Sequence, residues 1–463
     1  MGIQFSIYDY IIFLLYALGV LYIGFGTKAA DKSNLDYLVA GRRITLPAFV
    51  ATLVSTFYGG ILGIGEFTYR FGISSWVMNA FPYYFFITIF AVFLASKIRK
   101  AQLYTIPDKL ELAYGKKVGV FGAVLIFLLI TPAPYILMMG VLVQLILGVS
   151  LEMAMLISLL LSILYLFKGG LKADIRVNIF EFILMFTGFG VILPFCFIKL
   201  GGFGFLSANL PATHVSLTGG NSIGYLFVWF FIGAWALVDP SFHQRCYAAK
   251  SEKTAKKGVL ISLIFWFIFD FMTTITGLYA YIHLKNLENP AMSYPLLAND
   301  ILPSVAKGFF FVGMIATIMA SLHSYLFISA STLGKDIICR IRNIEDEGNA
   351  FSKTGIVITS VLSVVIAILI PSVVQIWYTI GSLVIPSLLI GVLTSYSEKL
   401  KAGKGYILSA MILSFLICLC SFIYGSIFSA GGIPGYFFGV EPMYPGLVVG
   451  IAVYLTGLIK QKF

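Results

Sequence analysis

The chain has 463 residues, 59% of them hydrophobic and 11% charged, a mean hydropathy of +0.97 and a net charge of +11. No soluble fold hides that much apolar surface, which excludes a soluble enzyme or binding module and defines an all-α polytopic membrane protein. The basic excess lies between the apolar segments and is not gathered into a patch, which argues against nucleic acid as a partner.

Apolar segments recur at about 13 places. A leader helix at 6–26 precedes core helix 1 at 45–69, and core helices 2 to 5 follow near 72–97, 118–148, 151–168 and 175–199. Core helices 6 to 10 lie near 222–247, 258–284, 304–334, 354–371 and 374–396, with two additional helices near 405–426 and 443–459. The first residues, MGIQFSIYDY, carry neither a basic region nor a small-residue cleavage site, so the leader reads as a retained helix. The longest polar connections, near 335–353 and 286–303, are too short for a soluble domain, leaving one transmembrane domain over 1–463.

With the N-terminus outside and the segments alternating, all Lys and Arg but Arg70, Lys199, Lys285 and Lys307 fall on the inner side, including Lys28, Lys32 and Arg245. That asymmetry orients the chain in a cell (inner) membrane with its C-terminus cytoplasmic. Cys196, Cys246, Cys339, Cys418 and Cys420 have no metal-like spacing and read as free thiols.

Core helix 1, LPAFVATLVSTFYGGILGIGEFTY over 46–69, is long enough to span a bilayer, yet its middle is Ser55-Thr56-Phe57-Tyr58 followed by Gly59-Gly60. Each glycine costs a helix about 1 kcal/mol relative to alanine. Such a stretch at mid-depth is either an opening in the helix, as at transporter binding sites, or a close helix–helix contact. Core helix 6 is interrupted by Asp239-Pro240, and an odd spacing of five helices between the two interruptions runs the halves in opposite directions. The predicted repeats cover 45–199 and 222–396.

In core helix 8, Thr317, Ser321, Ser324 and Ser331 repeat at one- and two-turn spacing, with His323 one residue off that face. Hard oxygens suit a hard cation such as sodium; the alternative is hydroxyls bonded back to carbonyls one turn earlier. Glu66 and Arg70 fit an ion pair one turn apart. Asp270 and Glu181 have no local partner, and Pro132 and Pro134 kink core helix 3 where Tyr135 is placed to line a cavity. Asp239, far from water, meets an amine-bearing substrate, locks an inner gate, or simply caps a half-helix or pairs with Arg245, which is nearly two turns away. No nucleophile–base or metal-ligand constellation appears at matching depth, so no catalytic residue is assigned.

Five stretches together resemble the sodium:solute symporter family, which contains proline, pantothenate, sialic acid and sodium–glucose symporters. They are AGRR at 40–43, YTIPDKLE at 104–111, GGLKAD at 169–174, QRCYAAKS at 244–251 and SASTLGKDI at 329–337, in the family's order and spacing. The resemblance implies a five-plus-five inverted repeat with helices 1 and 6 broken, and transport driven by inward sodium. It implies sodium as the co-transported ion, held by the carbonyls of Ser55, Tyr58 and Thr317 and by the Ser321 hydroxyl, with Ala320 standing where the family has a further hydroxyl. A second sodium is not expected, because Asn178 and His323 occupy its positions. The family's sugar contacts correspond to Leu62 and Tyr378, which disfavours sugar. The expected function is therefore a sodium-coupled importer of a small polar organic solute. The alternatives are proton coupling through His323 or Asp239, and a membrane solute sensor on the same scaffold.

Overall fold

The computed structural model describes residues 3–27, 33–164, 166–346, 349–429 and 435–462. Among the described residues all regular structure is helical, apart from an isolated parallel bridge between Ile44 and Ala249. Lys28 and Lys32, counted above with the inner connections, lie outside the described residues.

Among the described residues, eleven helices are long and apolar enough to cross a membrane, and one bent pair makes a twelfth span. In chain order these begin with α1 (Ile7–Phe25), the pair α2 (Leu46–Phe57) and α3 (Ile61–Phe71), α4 (Ser74–Ala101) and α5 (Lys116–Leu147). Next come α6 (Leu151–Ile163) and α7 (Gly169–Lys199), then a broken span made of α8 (Ile223–Ile232), α9 (Trp235–Val238) and α10 (Pro240–Ala248). The chain continues through α11 (Glu252–His283), α12 (Ala306–Arg342), α13 (Ala350–Leu369), α14 (Val373–Ser395), α15 (Lys404–Ile427) and α16 (Met443–Lys462). These account for twelve of the 13 expected spans; the other, α6, is a shorter apolar helix of 13 residues. All five cysteines are free thiols, and only Cys420 is exposed.

α12 is the central post: its apolar stretch is wholly buried. It packs most extensively on α7 and then on α13. Peripheral helices turn Leu15, Tyr22, Ile198, Phe267 and Leu369 outward, as a chain solvated by lipid does.

The quoted motifs converge at one end of the bundle. In YTIPDKLE, Thr105 and Asp108 form a capping box that starts the short helix Ile106–Tyr114. Asp108 then accepts from Lys335 at 2.8 Å and Arg340 at 2.6 Å, both from the C-terminal end of α12, and Arg340 also reaches Glu111 at 2.8 Å. Burial alone would raise the Asp108 carboxyl, but the Lys335 ammonium and the Arg340 guanidinium hold it below its ordinary value. Ile44, after AGRR, pairs with Ala249 of the QRCYAAKS stretch, whose carbonyl also accepts from Arg99 at 2.5 Å. This basic end is therefore laced shut. Arg245 is the exception to the charge count, since it is fully buried and takes no part in an inner connection.

Candidate functional site

The first break sits where the sequence places its glycines. α2 ends at Phe57, Tyr58 has φ −93° and ψ 10°, and α3 starts after Gly60 at an angle of 58° to α2. A helix end leaves its last carbonyls without intrahelical donors. Here the Val54 carbonyl accepts from the Trp266 indole at 3.3 Å, and the Thr56 carbonyl accepts from the Ser321 hydroxyl. Gly59 permits that second contact: a Cβ there would lie 1.9 Å from the Ser321 Oγ. At Gly60 a Cβ would meet the Trp377 ring at 2.1 Å, so α14 also rests on bare backbone.

Ser321 on α12 is thus brought against the break that carries Ser55 and Tyr58. The Ser55 hydroxyl donates to the Ala51 carbonyl at 2.9 Å and to Asn178 Oδ1 at 3.1 Å. The Thr317 hydroxyl is turned back to the Gly313 carbonyl at 2.6 Å, so this side chain follows the helix-internal alternative.

The second break is at Asp239, which is extended (φ −69°, ψ 119°) between α9 and α10. Its carboxylate caps α10 by accepting from the Ser241 backbone N–H at 2.7 Å. It also accepts from the Trp235 indole at 3.0 Å and the Tyr325 hydroxyl at 2.8 Å. Asp239 is fully buried and does not line the cavity described below. Three protein donors thus meet the Asp239 carboxylate.

Next to the helix 1 break is a cavity with about 820 Å³ of empty space, counting the part continuous with solvent. Tyr58, Tyr83, Tyr84, Tyr135, Trp229, Trp235, Trp266, Tyr325 and Trp377 give it aromatic walls. Among the described residues Asp270 is its only carboxylate, and no Lys or Arg lines it. Asp270 Oδ1 accepts from the Tyr58 hydroxyl at 2.5 Å, and Oδ2 accepts from the Tyr84 hydroxyl. Tyr135 lines the wall as the kink in core helix 3 suggested, its ring stacked 5.2 Å from that of Tyr325. Leu62 and Tyr378 do not line this cavity. Leu62 is buried in packing, and Tyr378 borders a separate pocket with Glu66, Arg70 and Glu441, where its hydroxyl bonds Glu441. Glu66 and Arg70 are paired at 3.0 Å.

A cluster the sequence reading did not assemble lies on the other side of α2. Asp174 accepts from Arg245 at 2.9 Å and from the Ser324 hydroxyl at 2.5 Å. His323 faces Asp174 with Nδ1 at 3.0 Å and Glu181 with Nε2 at 2.8 Å, and Glu181 accepts from the Tyr16 hydroxyl at 2.9 Å. Arg245 donates to the Thr56 hydroxyl at 2.7 Å, so the cluster and the helix 1 break share a residue. The missed signal was spacing: Asp174, Asn178 and Glu181 fall at i, i+4 and i+7, one face of one helix.

Two interrupted spans, oxygen atoms gathered at one break and a cavity beside it define a membrane transporter. The chain belongs to the sodium:solute symporter family, whose model matches residues 37–401. It is a multi-pass sodium:solute symporter, not an enzyme, and sodium is the co-transported ion. It is 25% identical over 387 residues to a sodium/glucose cotransporter of Vibrio parahaemolyticus, covering 72% of this chain and 69% of that one. Sodium-coupled monocarboxylate transporter 2 of Mus musculus is 25% identical over 481 residues, covering 91% and 74%. In structure, the chain is similar to a Na+-coupled sialic acid symporter solved in a substrate-bound outward-open state, with a TM-score of 0.81, 16% identity and 98% of each chain covered.

Proposed function

We propose that this chain imports a small solute bearing an ammonium group, driven by sodium bound between the helix 1 break and α12. The observation that carries the substrate class is the cavity itself: among the described residues it has one carboxylate, no basic side chain, and aromatic walls. An ammonium held there pairs with Asp270 and lies against ring faces, an attraction of about 2 kcal/mol or more once water is excluded. A simple acid would meet a like charge. The ammonium reading made from Asp239 thus passes to Asp270.

Sodium is held by the carbonyls of Ser55, Tyr58 and Thr317 and the hydroxyl of Ser321, one ion per solute. The Ser321 hydroxyl rests against the break through the Thr56 carbonyl, which supports this reading. Tyr58 supplies the link between ion and solute, since its backbone belongs to the break and its hydroxyl holds Asp270. The repeats at 45–199 and 222–396 rock against each other, with the N-terminus outside and the laced basic end cytoplasmic, in a cell (inner) membrane.

Uptake of a panel of methylated amines, amino acids and carboxylic acids into proteoliposomes tests the substrate class. Asp270→Asn is expected to lower apparent affinity for the transported amine on the order of 30-fold, the cost of removing one partner of a buried charge pair. Uptake of a carboxylic acid with no amino group, undiminished in Asp270→Asn, would show the reading to be wrong. Ser321→Ala is expected to raise the sodium concentration for half-maximal uptake about tenfold, in line with loss of one oxygen to a cation. An unchanged sodium curve removes Ser321 from the ion site.

A further inference from the structure

We propose that a groove between α11 and the connection after α7 holds an acyl chain of a membrane phospholipid. This goes beyond the sodium and solute readings and rests on neither.

The connection is tied down at two points. At its start the Gly201 carbonyl accepts from the Tyr279 hydroxyl of α11 at 2.5 Å. Further on, the His214 carbonyl accepts from the Ile73 backbone N–H at 2.8 Å, and the His214 ring donates to the Tyr69 carbonyl at 3.0 Å. Gly72 permits this second tie, since a Cβ there would lie 2.2 Å from the His214 carbonyl oxygen. Between the ties runs a short helix, Phe203–Asn209. It and α11 leave a groove of about 1140 Å³, counting the part open to the surroundings. Packed protein leaves few gaps larger than a water molecule, so a space of this size calls for an occupant.

The lining names the occupant's chemistry. Leu206 and Leu210 come from the connection, and Phe271, Ile275 and Leu278 come from α11. Among the described residues no Lys, Arg, Asp or Glu lines the groove, and Ser207 and Thr274 bring its only hydroxyls. Water gains too few partners in such a space to fill it, and a charged ligand would lose its hydration for nothing. The rim residues Phe203, Val215, Phe267 and Phe271 are about half exposed, and Phe267 belongs to the lipid-facing surface described above. The groove therefore continues that surface, at a depth where the bilayer offers hydrocarbon chains. With no basic side chain in the lining, nothing selects a free fatty-acid carboxylate over the phospholipids that make up the bilayer. The occupant also lies behind a wall of the solute cavity. Trp76 and Phe267 line the groove, and their rings lie 5.9 Å and 6.3 Å from that of Tyr84, which bonds Asp270.

The test uses the full-length protein in vesicles of phosphatidylcholine, a fraction of it carrying a photoreactive diazirine on one acyl chain. Light attaches that chain to the residues it touches, and peptide mass spectrometry locates the adducts. Lipid that merely surrounds the protein labels residues such as Leu369, which is 74% exposed. A chain seated in the groove also labels Leu206, Ile275 and Leu278, which are only 5%, 6% and 6% exposed. Thr274→Trp fills the groove from α11, and Ser207→Trp fills it from the short helix. Each is expected to lose the groove adducts and keep those on Leu369, with an unchanged gel-filtration profile in detergent as the check on folding. Wild-type adducts on Leu369 with none on Leu206, Ile275 or Leu278 overturn the proposal, as do groove adducts undiminished in both filled variants. The wild-type map decides by itself if neither variant folds. A free fatty acid carrying the same diazirine tests the source: groove adducts from the acid and none from the phospholipid overturn the proposal as well.

Discussion

Arg245→Met is expected to destabilise the protein by about 3–5 kcal/mol, a large part of the roughly 5–15 kcal/mol that holds a typical domain folded. The guanidinium is fully buried and bonds Asp174 at 2.9 Å, Thr56 at 2.7 Å and Ser324 at 3.1 Å. Methionine fills much of the same space, so the loss isolates charge. It leaves Asp174 ionised without its permanent cation and removes a tie between α10 and α2. Thermal unfolding in detergent should show a markedly lower midpoint. Adding Asp174→Asn should recover much of the loss, because an uncharged pair has no buried charge to neutralise. A single variant as stable as the wild type would show that the pair contributes nothing.

The second large effect is expected from Gly59→Ala. The new Cβ would sit 1.9 Å from the Ser321 Oγ, 2.2 Å from its Cβ and 2.9 Å from the Tyr135 ring, so α2 and α12 cannot keep their contact. One displaced ångström at a positioned site costs on the order of 100-fold in rate, and sodium-stimulated uptake should fall at least that much. Gly204→Ala, whose Cβ meets nothing within 4 Å, is the matched control and should transport normally. Wild-type sodium stimulation in Gly59→Ala would separate the break from the ion site.

The helix 1 break was legible because local chemistry decides it: Tyr58-Gly59-Gly60 weakens the helix wherever the segment lies. Asp239 was half legible. Asp-Pro predicted the interruption and left a helix cap among the readings, but no local pattern placed the Trp235 indole and the Tyr325 hydroxyl on the same carboxylate. Asp270 shows the opposite failure. Its partners, Tyr58 and Tyr84, are 212 and 186 residues away in sequence, and no local pattern pairs them. Arg245 was assigned to an inner connection by charge counting, a rule that treats each basic residue as solvated. Its burial depends on Asp174, one turn before Asn178, and that pairing exists only once α7, α10 and α12 meet. α6 was expected over 151–168; its helix runs over Leu151–Ile163.

The most direct test of the account is accumulation of a labelled methylated amine in proteoliposomes under an inward sodium gradient, with potassium as control. The wild type should concentrate the solute above equilibrium only with sodium, Ser321→Ala should need about tenfold more sodium, and Asp270→Asn should fail to concentrate it. Equal accumulation with potassium, or full sodium-driven accumulation in Asp270→Asn, would contradict it.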